Sequence, residues 1–297
     1  MTMENSNTQP ETALVRVEAA GRTLWAVRRG DAYFSLGMSL SELLRLSAAD
    51  ARDAVERAAG DEITPSRVLA PIDPQQEIWA AGVTYLRSRD GRIEEASDGT
   101  PYDRVYDAER PELFFKSTGA RVVGPGGDVG VRADSPWNVP EPELGLVLDA
   151  RGELFGYVPG NDASSRSIEG ENLLYLPQAK VYTAACALGP EIVPAWAAQT
   201  PFAIGLEIRR GGELEFSGSS STDQIARGLD DLADWLFRGL DFPDGVILLT
   251  GTGIVPEADF TLTPGDDVAI DIQGVGRLVN GVRLVGDRNA RPKEETR

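Results

Sequence analysis

Two glutamates two positions apart and one distant lysine are the residues best suited to chemistry. Glu141 and Glu143 lie in EPELGLVLD, and side chains two apart in an extended strand project from one face. Lys180 lies in LPQAKVYTAACALGP and is one of only three lysines among 29 basic residues, the others being Lys116 and Lys293. Paired carboxylates with an ammonium group nearby are suited to binding a metal ion or a substrate.

A hairpin predicted next to these glutamates adds a third carboxylate. Apolar runs flank the Arg151-Gly152 pair, which is a plausible two-residue turn. Pairing across that turn places Asp162 directly opposite Glu141, with Glu143 on the diagonal and within about 8 Å of Asp162. Like charges facing one another across a strand pair are destabilising unless a cation lies between them.

An all-oxygen cluster selects a hard divalent cation. We therefore expect Mg²⁺, with Mn²⁺ or Ca²⁺ as possible substitutes. The alternative is that all three carboxylates point to water at a solvated edge. Lys180 has two interpretations as well: an ammonium beside the cluster that orients a substrate or transfers a proton, or a surface lysine with a partly buried stem.

The composition excludes several classes of function. The 297-residue chain has no histidine, one cysteine and a formal net charge of -18. No Ser-His-Asp triad, Cys-His pair or HExxH zinc site can exist, and the acidic surplus argues against nucleic-acid binding. No apolar run approaches the roughly 18 residues of a membrane span. We expect a cytoplasmic protein, which agrees with the single Cys186, and its acidic surface is also compatible with salt adaptation.

The elements that must position these residues fall into two predicted domains. Three short strands, at 13–18, 23–27 and 33–36, precede a helix that starts after Ser39 and ends near Gly60. The expected divisions are a disordered N-terminus at 1–12, a small α+β domain at 13–70, a catalytic domain at 71–285 and a charged tail at 286–297.

The second domain has the pattern of a β-rich fold. A helix is predicted at 222–240 from its apolar stripe. Residues 84–110 are polar and form a long connection, which is either a lid or a solvated surface loop. The predicted strands lie at 145–148, 154–158, 202–208, 214–216, 246–249 and 268–272.

Several segments resemble the fumarylacetoacetate hydrolase family: EPELGLVLD, GYVPGNDASSR, LPQAKVYTAACALGP, LLTGTG and PGDDVAIDIQGVGRLVN. The stretch GENLLYLPQAKVYTAACALGP is similar to the branch of 2-keto-3-deoxy sugar acid dehydratases, of the 2-keto-3-deoxyarabinonate type. The resemblance implies an α+β, β-rich fold, with a mixed β-roll or sandwich catalytic domain and a small N-terminal domain. It also implies assembly into homodimers or homotetramers.

The same resemblance assigns residues to roles. The family's ExE...D metal pattern falls on Glu141, Glu143 and Asp162, and its active-site lysine falls on Lys180. Its substrate-binding threonine falls on Thr252, where Gly253 replaces the usual proline. Hydrolase members carry a His-Glu pair in the motif G-x-N-Y-x-x-H-x-x-E. Here the stretch is GVTYLRSRDG, with Ser88 and Gly91 at those two positions, so that pair cannot activate water.

We therefore expect a Mg²⁺-dependent dehydratase that eliminates water from a 2-keto-3-deoxy acid, giving 2,5-dioxopentanoate from a five-carbon substrate. Lys180 is the first candidate for proton transfer, followed by Glu112 and Ser88. The alternatives are an acylpyruvate or fumarylpyruvate hydrolase, a 2-keto acid decarboxylase, and a non-catalytic scaffold that binds metal or a small acid. The expected substrate-binding residues are Arg87, which is otherwise a solvated charge, Lys116, Asn161 and Thr252.

Overall fold

A four-stranded antiparallel sheet opens the chain in the computed structural model, which describes residues 10–87, 90 and 100–287. The strands are β1 (Thr12–Ala19), β2 (Arg22–Arg29), β3 (Ala32–Ser35) and β4 (Arg67–Leu69), in the order β3-β2-β1-β4. Ala20 and Gly21 both have positive φ in the tight turn that joins β1 to β2. That geometry matches the right-handed twist of a hairpin.

Two helices lie between β3 and β4 where the sequence predicts one. They are α1 (Leu40–Leu44) and α2 (Ala48–Arg57). The predicted capping box is confirmed, because Ser39 and Glu42 satisfy each other's backbone N–H groups. The prediction of one continuous helix is wrong, because Ser47 accepts a hydrogen bond from the Asp50 amide and starts a second helix.

The central sheet carries the candidate site. Its strands are β5 (Glu77–Gly82), β6 (Glu112–Thr118), β9 (Pro142–Leu148), β10 (Leu154–Asp162), β12 (Cys186–Leu188), β13 (Val193–Pro194) and β16 (Val246–Leu249). The order is β12-β10-β9-β16-β5-β6, and β13 also pairs with β10. A bridge from Val123 to Ala187 brings the chain after β6 to β12, so the sheet curls into a roll.

A five-stranded sheet packs against one face of this roll. Leu146 and Leu248 of the central sheet belong to the same buried cluster as Leu206 and Ile270 of the five-stranded sheet. This arrangement confirms the predicted β-rich fold class. The five strands are β7 (Asp128–Arg132), β14 (Ala203–Arg210), β15 (Glu213–Ser221), β17 (Asp266–Ile272) and β18 (Gly276–Val285), and a separate two-stranded pair consists of β8 (Asn138–Val139) and β11 (Ser164–Ser165).

The remaining helices are α3 (Thr100–Asp107), α4 (Arg166–Glu171), α5 (Leu176–Lys180) and α6 (Leu229–Phe237). Helix α3 lies within the long connection predicted at 84–110, so this segment contains regular structure. The helix predicted at 222–240 is shorter than expected, since Thr222–Gln224 form a separate 3₁₀ turn. Within the described ranges, no helix is long and apolar enough to cross a membrane.

Candidate functional site

Strands β9 and β10 bring the three predicted carboxylates to one end of the central sheet. Their register pairs Glu143 with Gly160. The Asp162 amide then donates to the Glu141 carbonyl over 3.0 Å. Asp162 therefore lies opposite Glu141, which confirms the predicted pairing.

The turn predicted for this hairpin is wrong in its detail. Pairing closes at Leu148 and Leu154, so residues 149–153 form the loop, and the register shifts between Leu154 and Gly156. Asp149 orders the loop by accepting hydrogen bonds from the amides of Arg151 and Glu153 over 2.7 and 3.0 Å. The longer loop and the bulge compensate for each other, so the predicted pairing holds at the carboxylate end.

The three carboxylates form a buried cluster rather than a solvated edge. Glu141, Glu143 and Asp162 are 3%, 1% and 1% exposed, and one ligand atom from each lies within 4.8 Å of the others. Burial and then repulsion from Asp162 and Glu141 raise the pKa of Glu143 well above its ordinary value. The Gly251 amide donates to Glu143 over 2.7 Å. Oxygen donors with this repulsion between them fit a hard divalent cation.

Lys180 lies inside this cluster. Its side chain is 2% exposed, and Nζ lies 2.7 Å from Glu141 Oε2, 3.1 Å from Asp162 Oδ2 and 2.7 Å from Ser164 Oγ. The ring of Phe114 lies 5.4 Å from the same nitrogen. Helix α5 presents Lys180 from its last turn, and Pro177 fits the first turn of that helix. The surface-lysine interpretation is excluded.

Lys116 and Asn161, both expected to bind substrate, instead contact the protein's own site residues. Lys116 Nζ forms a salt bridge with Asp162 and donates to the carbonyls of Ala163 and Lys180 over 3.0 and 2.7 Å. Asn161 Oδ1 accepts from the Glu141 amide over 3.2 Å. Within the described part of the chain, Asn161 Nδ2 is buried with no hydrogen-bond partner. Of these two side chains, only Asn161 thus has a donor available for a ligand.

Two further charged residues belong to the site and were not predicted. Arg166 Nη2 lies 2.7 Å from Glu141 Oε1, and Glu169 lies 3.8 Å from both Arg166 Nε and Lys180 Nζ. Glu141, Arg166, Glu169 and Lys180 thus form a closed ring of alternating charge. The R-x-x-E spacing shortly after Asp162 is the available signal, since residues three apart on a helix are neighbours.

The other predicted site residues have different surroundings. Thr252 is buried, and its Oγ1 accepts from the Ile254 amide over 3.2 Å, which stabilises the turn after β16. Arg87 is exposed. Glu112 is partly buried on β6 and pairs with Gly82 of β5. Ser88 lies outside the described residues, so its predicted role stays untested.

One protein family and several known proteins are similar to this chain. Residues 77–283 match the family described as fumarylacetoacetate (FAA) hydrolase C-terminal. A probable 2-keto-3-deoxyxylonate dehydratase of Haloferax volcanii is 48% identical over 76% of this chain and 78% of its own length. A 2-dehydro-3-deoxy-D-arabinonate dehydratase of Saccharolobus solfataricus is 43% identical over 75% of this chain and 76% of its own length.

The comparison with solved structures gives a similar result. One match is 2-keto-3-deoxy-D-arabinonate dehydratase complexed with magnesium and 2,5-dioxopentanoate, with a TM-score of 0.81 and 35% identity. The match covers 92% of this chain and 99% of the other. The likeness therefore extends beyond the residues matched by the family to most of the fold.

Proposed function

We propose, from the premise that the chain belongs to the fumarylacetoacetate hydrolase family, that it is a Mg²⁺-dependent dehydratase of 2-keto-3-deoxypentonates, a carbon–oxygen lyase. The observation that carries the proposal is the buried cluster of Glu141, Glu143 and Asp162. Two relatives named above are dehydratases of such acids, and one similar structure holds magnesium and 2,5-dioxopentanoate.

Glu141, Glu143 and Asp162 would hold the cation, with Mn²⁺ or Ca²⁺ as possible substitutes for Mg²⁺. A bound Mg²⁺ supplies Lewis acidity to the 2-keto group, which makes the C3 proton of the substrate easier to remove. Asn161 holds the backbone of Glu141, and Lys116 holds Asp162. These contacts fix the cluster before a ligand arrives.

Elimination requires loss of a C3 proton and departure of the C4 hydroxyl as water. Lys180, as the neutral amine, is our candidate base for the C3 proton, because its nitrogen lies among the carboxylates that would bind the cation; it ends the step as an ammonium. Glu112 is the second candidate, for the proton that leaves with the C4 hydroxyl. Tautomerisation of the five-carbon product then gives 2,5-dioxopentanoate. The proposed substrate contacts are Arg87, Asn161 and Thr252, and Ser88 stays a candidate for proton transfer.

A product assay tests the function directly. The protein is incubated with Mg²⁺ and a panel of 2-keto-3-deoxypentonates, together with an acylpyruvate as the hydrolase substrate. We expect 2,5-dioxopentanoate from at least one pentonate, loss of turnover with EDTA and recovery with added Mg²⁺. Acylpyruvate cleavage alone would support the hydrolase alternative, and CO₂ release would support the decarboxylase. Binding of the acids without turnover would support a scaffold.

The proposal includes a cytoplasmic location and assembly into homodimers or homotetramers. The buried free thiol of Cys186 agrees with a reducing compartment. Leu173, Leu174 and Tyr175 are exposed just before the helix that carries Lys180. Exposed apolar patches often mark interfaces. Light scattering coupled to size-exclusion chromatography measures the assembly, and a monomer would contradict that part of the proposal.

A further inference from the structure

Glu112 lies in a row of β6 side chains that leads toward the carboxylate cluster. Glu112 and Phe114 are two positions apart on the strand and so share a face. The Phe114 ring lies 5.4 Å from Lys180 Nζ. Lys116, at the point where the β5–β6 register shifts, reaches the same cluster through its salt bridge with Asp162. The face of β6 that carries Glu112 is therefore the face that borders the site.

Gly82 of β5 is the direct partner of Glu112 in the antiparallel pair. Directly opposed residues in such a pair project from the same face of the sheet. A Cβ atom built on Gly82 would lie 2.0 Å from Glu112 Oε2, 2.7 Å from Cδ and 3.3 Å from Cγ. The Glu112 carboxylate therefore occupies the space that any side chain at position 82 would fill.

The backbone does not itself require glycine at this position. Gly82 is absent from the glycines with positive φ, in contrast to Gly251 at φ 89°. Gly82 is the last residue of β5, and a glycine there adds backbone entropy to the unfolded chain and packs no side chain. What position 82 gains from glycine is room for the Glu112 carboxylate.

We propose that Gly82 is a positioning residue: its missing side chain lets the Glu112 carboxylate fold across β5 and sets its place beside the active site. The inference rests on the proposed function, in which Glu112 is a candidate proton donor. A displacement of about 1 Å in a catalytic group can cost roughly 100-fold in rate. Alanine at position 82 would displace the Glu112 carboxylate by at least about 1 Å.

Replacing Gly82 should disturb the side chain of Glu112 rather than the fold. The nearest atoms to the built Cβ belong to the flexible end of Glu112. At Gly119 and Gly130, by contrast, the nearest atoms are the backbone oxygens of Asp73 and Thr183, at 2.0 and 2.4 Å. Substitutions there must shift the backbone, whereas the Gly82→Ala variant can fold with only Glu112 displaced.

A double-mutant cycle tests this inference. It compares wild type, Gly82→Ala, Glu112→Gln and the double variant, with Gly205→Ala as the matched control. Gly205 also lies in a strand, but a Cβ there meets nothing closer than 3.8 Å. The measurements are kcat and KM with a 2-keto-3-deoxypentonate, the Mg²⁺ Kd by calorimetry, and the unfolding temperature.

We expect Gly82→Ala to lower kcat by roughly 10-fold to 100-fold while the Mg²⁺ Kd and the unfolding temperature stay near wild type. In the Glu112→Gln background the same substitution should cost less than about twofold, because the group that it displaces is already disabled. The Gly205→Ala control should retain wild-type kcat.

Three results would overturn the inference: wild-type kcat in Gly82→Ala, an equal loss in both backgrounds, or failure of Gly82→Ala to fold. A crystal structure of Gly82→Ala adds a readout that is independent of turnover, and we expect it to show the Glu112 carboxylate moved over an unchanged β5. An unmoved carboxylate contradicts the inference, whereas a wild-type protein that turns over no pentonate contradicts the proposed function instead.

Discussion

Two buried groups of charged residues in this molecule differ in how completely their charges are matched. Arg28 and Glu191 form a two-point pair, with Nε–Oε2 at 2.7 Å and Nη2–Oε1 at 2.8 Å. The other Arg28 donors reach the carbonyls of Gly30 and Pro10. One cation meets one carboxylate, and two further N–H groups of the guanidinium donate to backbone carbonyls.

The candidate site is organised differently. Glu143 is held by a backbone amide, and within the described ranges no lysine or arginine nitrogen lies within 4.0 Å of it. An unmatched buried carboxylate is costly to stability, so its retention points to a ligand rather than to the fold. The four buried carboxylates of the site are Glu141, Glu143, Asp162 and Glu169, and its three cations are Lys116, Arg166 and Lys180.

Replacing Lys180 should give the largest effect, on turnover. The Lys180→Met variant keeps the apolar stem beside Phe114 and removes the proton-carrying group. We expect kcat to fall by about 10²–10⁴-fold, the usual contribution of a positioned acid or base. Calorimetry should still detect Mg²⁺ binding, because the three carboxylates remain. Near-normal turnover would remove Lys180 from the mechanism.

Breaking the matched pair should affect stability instead. Glu191→Gln leaves the Arg28 charge buried beside a neutral amide, which should lower the free energy of unfolding by about 3–5 kcal/mol. Denaturant titration measures this loss, and kcat should stay unchanged in the folded fraction. The control is Glu207→Gln, whose salt bridges to Arg209 and Arg277 are exposed and should each be worth less than about 1 kcal/mol. Equal losses in the two variants would contradict the distinction between matched and exposed pairs.

Replacing the unmatched carboxylate of Glu143 by an amide should not lower the stability of the metal-free protein. Glu143→Gln removes a group whose ionisation is opposed by burial and by its neighbours, while its amide oxygen can still accept from Gly251. We expect the metal-free protein to be at least as stable as wild type, and the Mg²⁺ Kd to rise by at least about 10-fold. Unfolding temperatures with and without Mg²⁺ measure both effects. A loss of stability like that of Glu191→Gln would show that Glu143 serves the fold.

Local patterns in the sequence predicted the part of the site that depends on strand periodicity. Alternation with period two fixes which side chains share a face, so the pairing of Glu141 with Asp162 followed from the hairpin. The strand Val246–Leu249 was predicted with its observed bounds. The register held even though the loop is longer than predicted, because the shift between Leu154 and Gly156 offsets the change in loop length.

Contacts between distant segments were not predictable in the same way. Arg166 and Glu169 reach the cluster only because α4 packs beside β8, β11 and α5, which no local pattern specifies. Lys116 was expected to bind substrate, but its contacts with Asp162 and two carbonyls depend on the curl of the sheet. The helix break at Ser47 is a local competition between a cap and a continuing helix, which propensity alone does not decide.

Asp266 and Arg210 provide an intermediate case with a smaller expected effect. Burial alone would raise the pKa of Asp266, but hydrogen bonds from Arg210 and Thr263 outweigh it and lower the pKa below its ordinary value. The carboxylate therefore stabilises the fold above the unfolded-state pKa of about 4, and this contribution is lost as the pH falls through the lower folded-state pKa. Asp266→Asn should cost about 1–2 kcal/mol at pH 7 and progressively less below about pH 4, as measured by denaturant titration across pH. If the difference in the free energy of unfolding between wild type and Asp266→Asn stayed constant down to acidic pH, the loss would come from packing rather than from charge. Asp266–Arg210 and Arg28–Glu191 would then differ in the kind of interaction as well as in exposure.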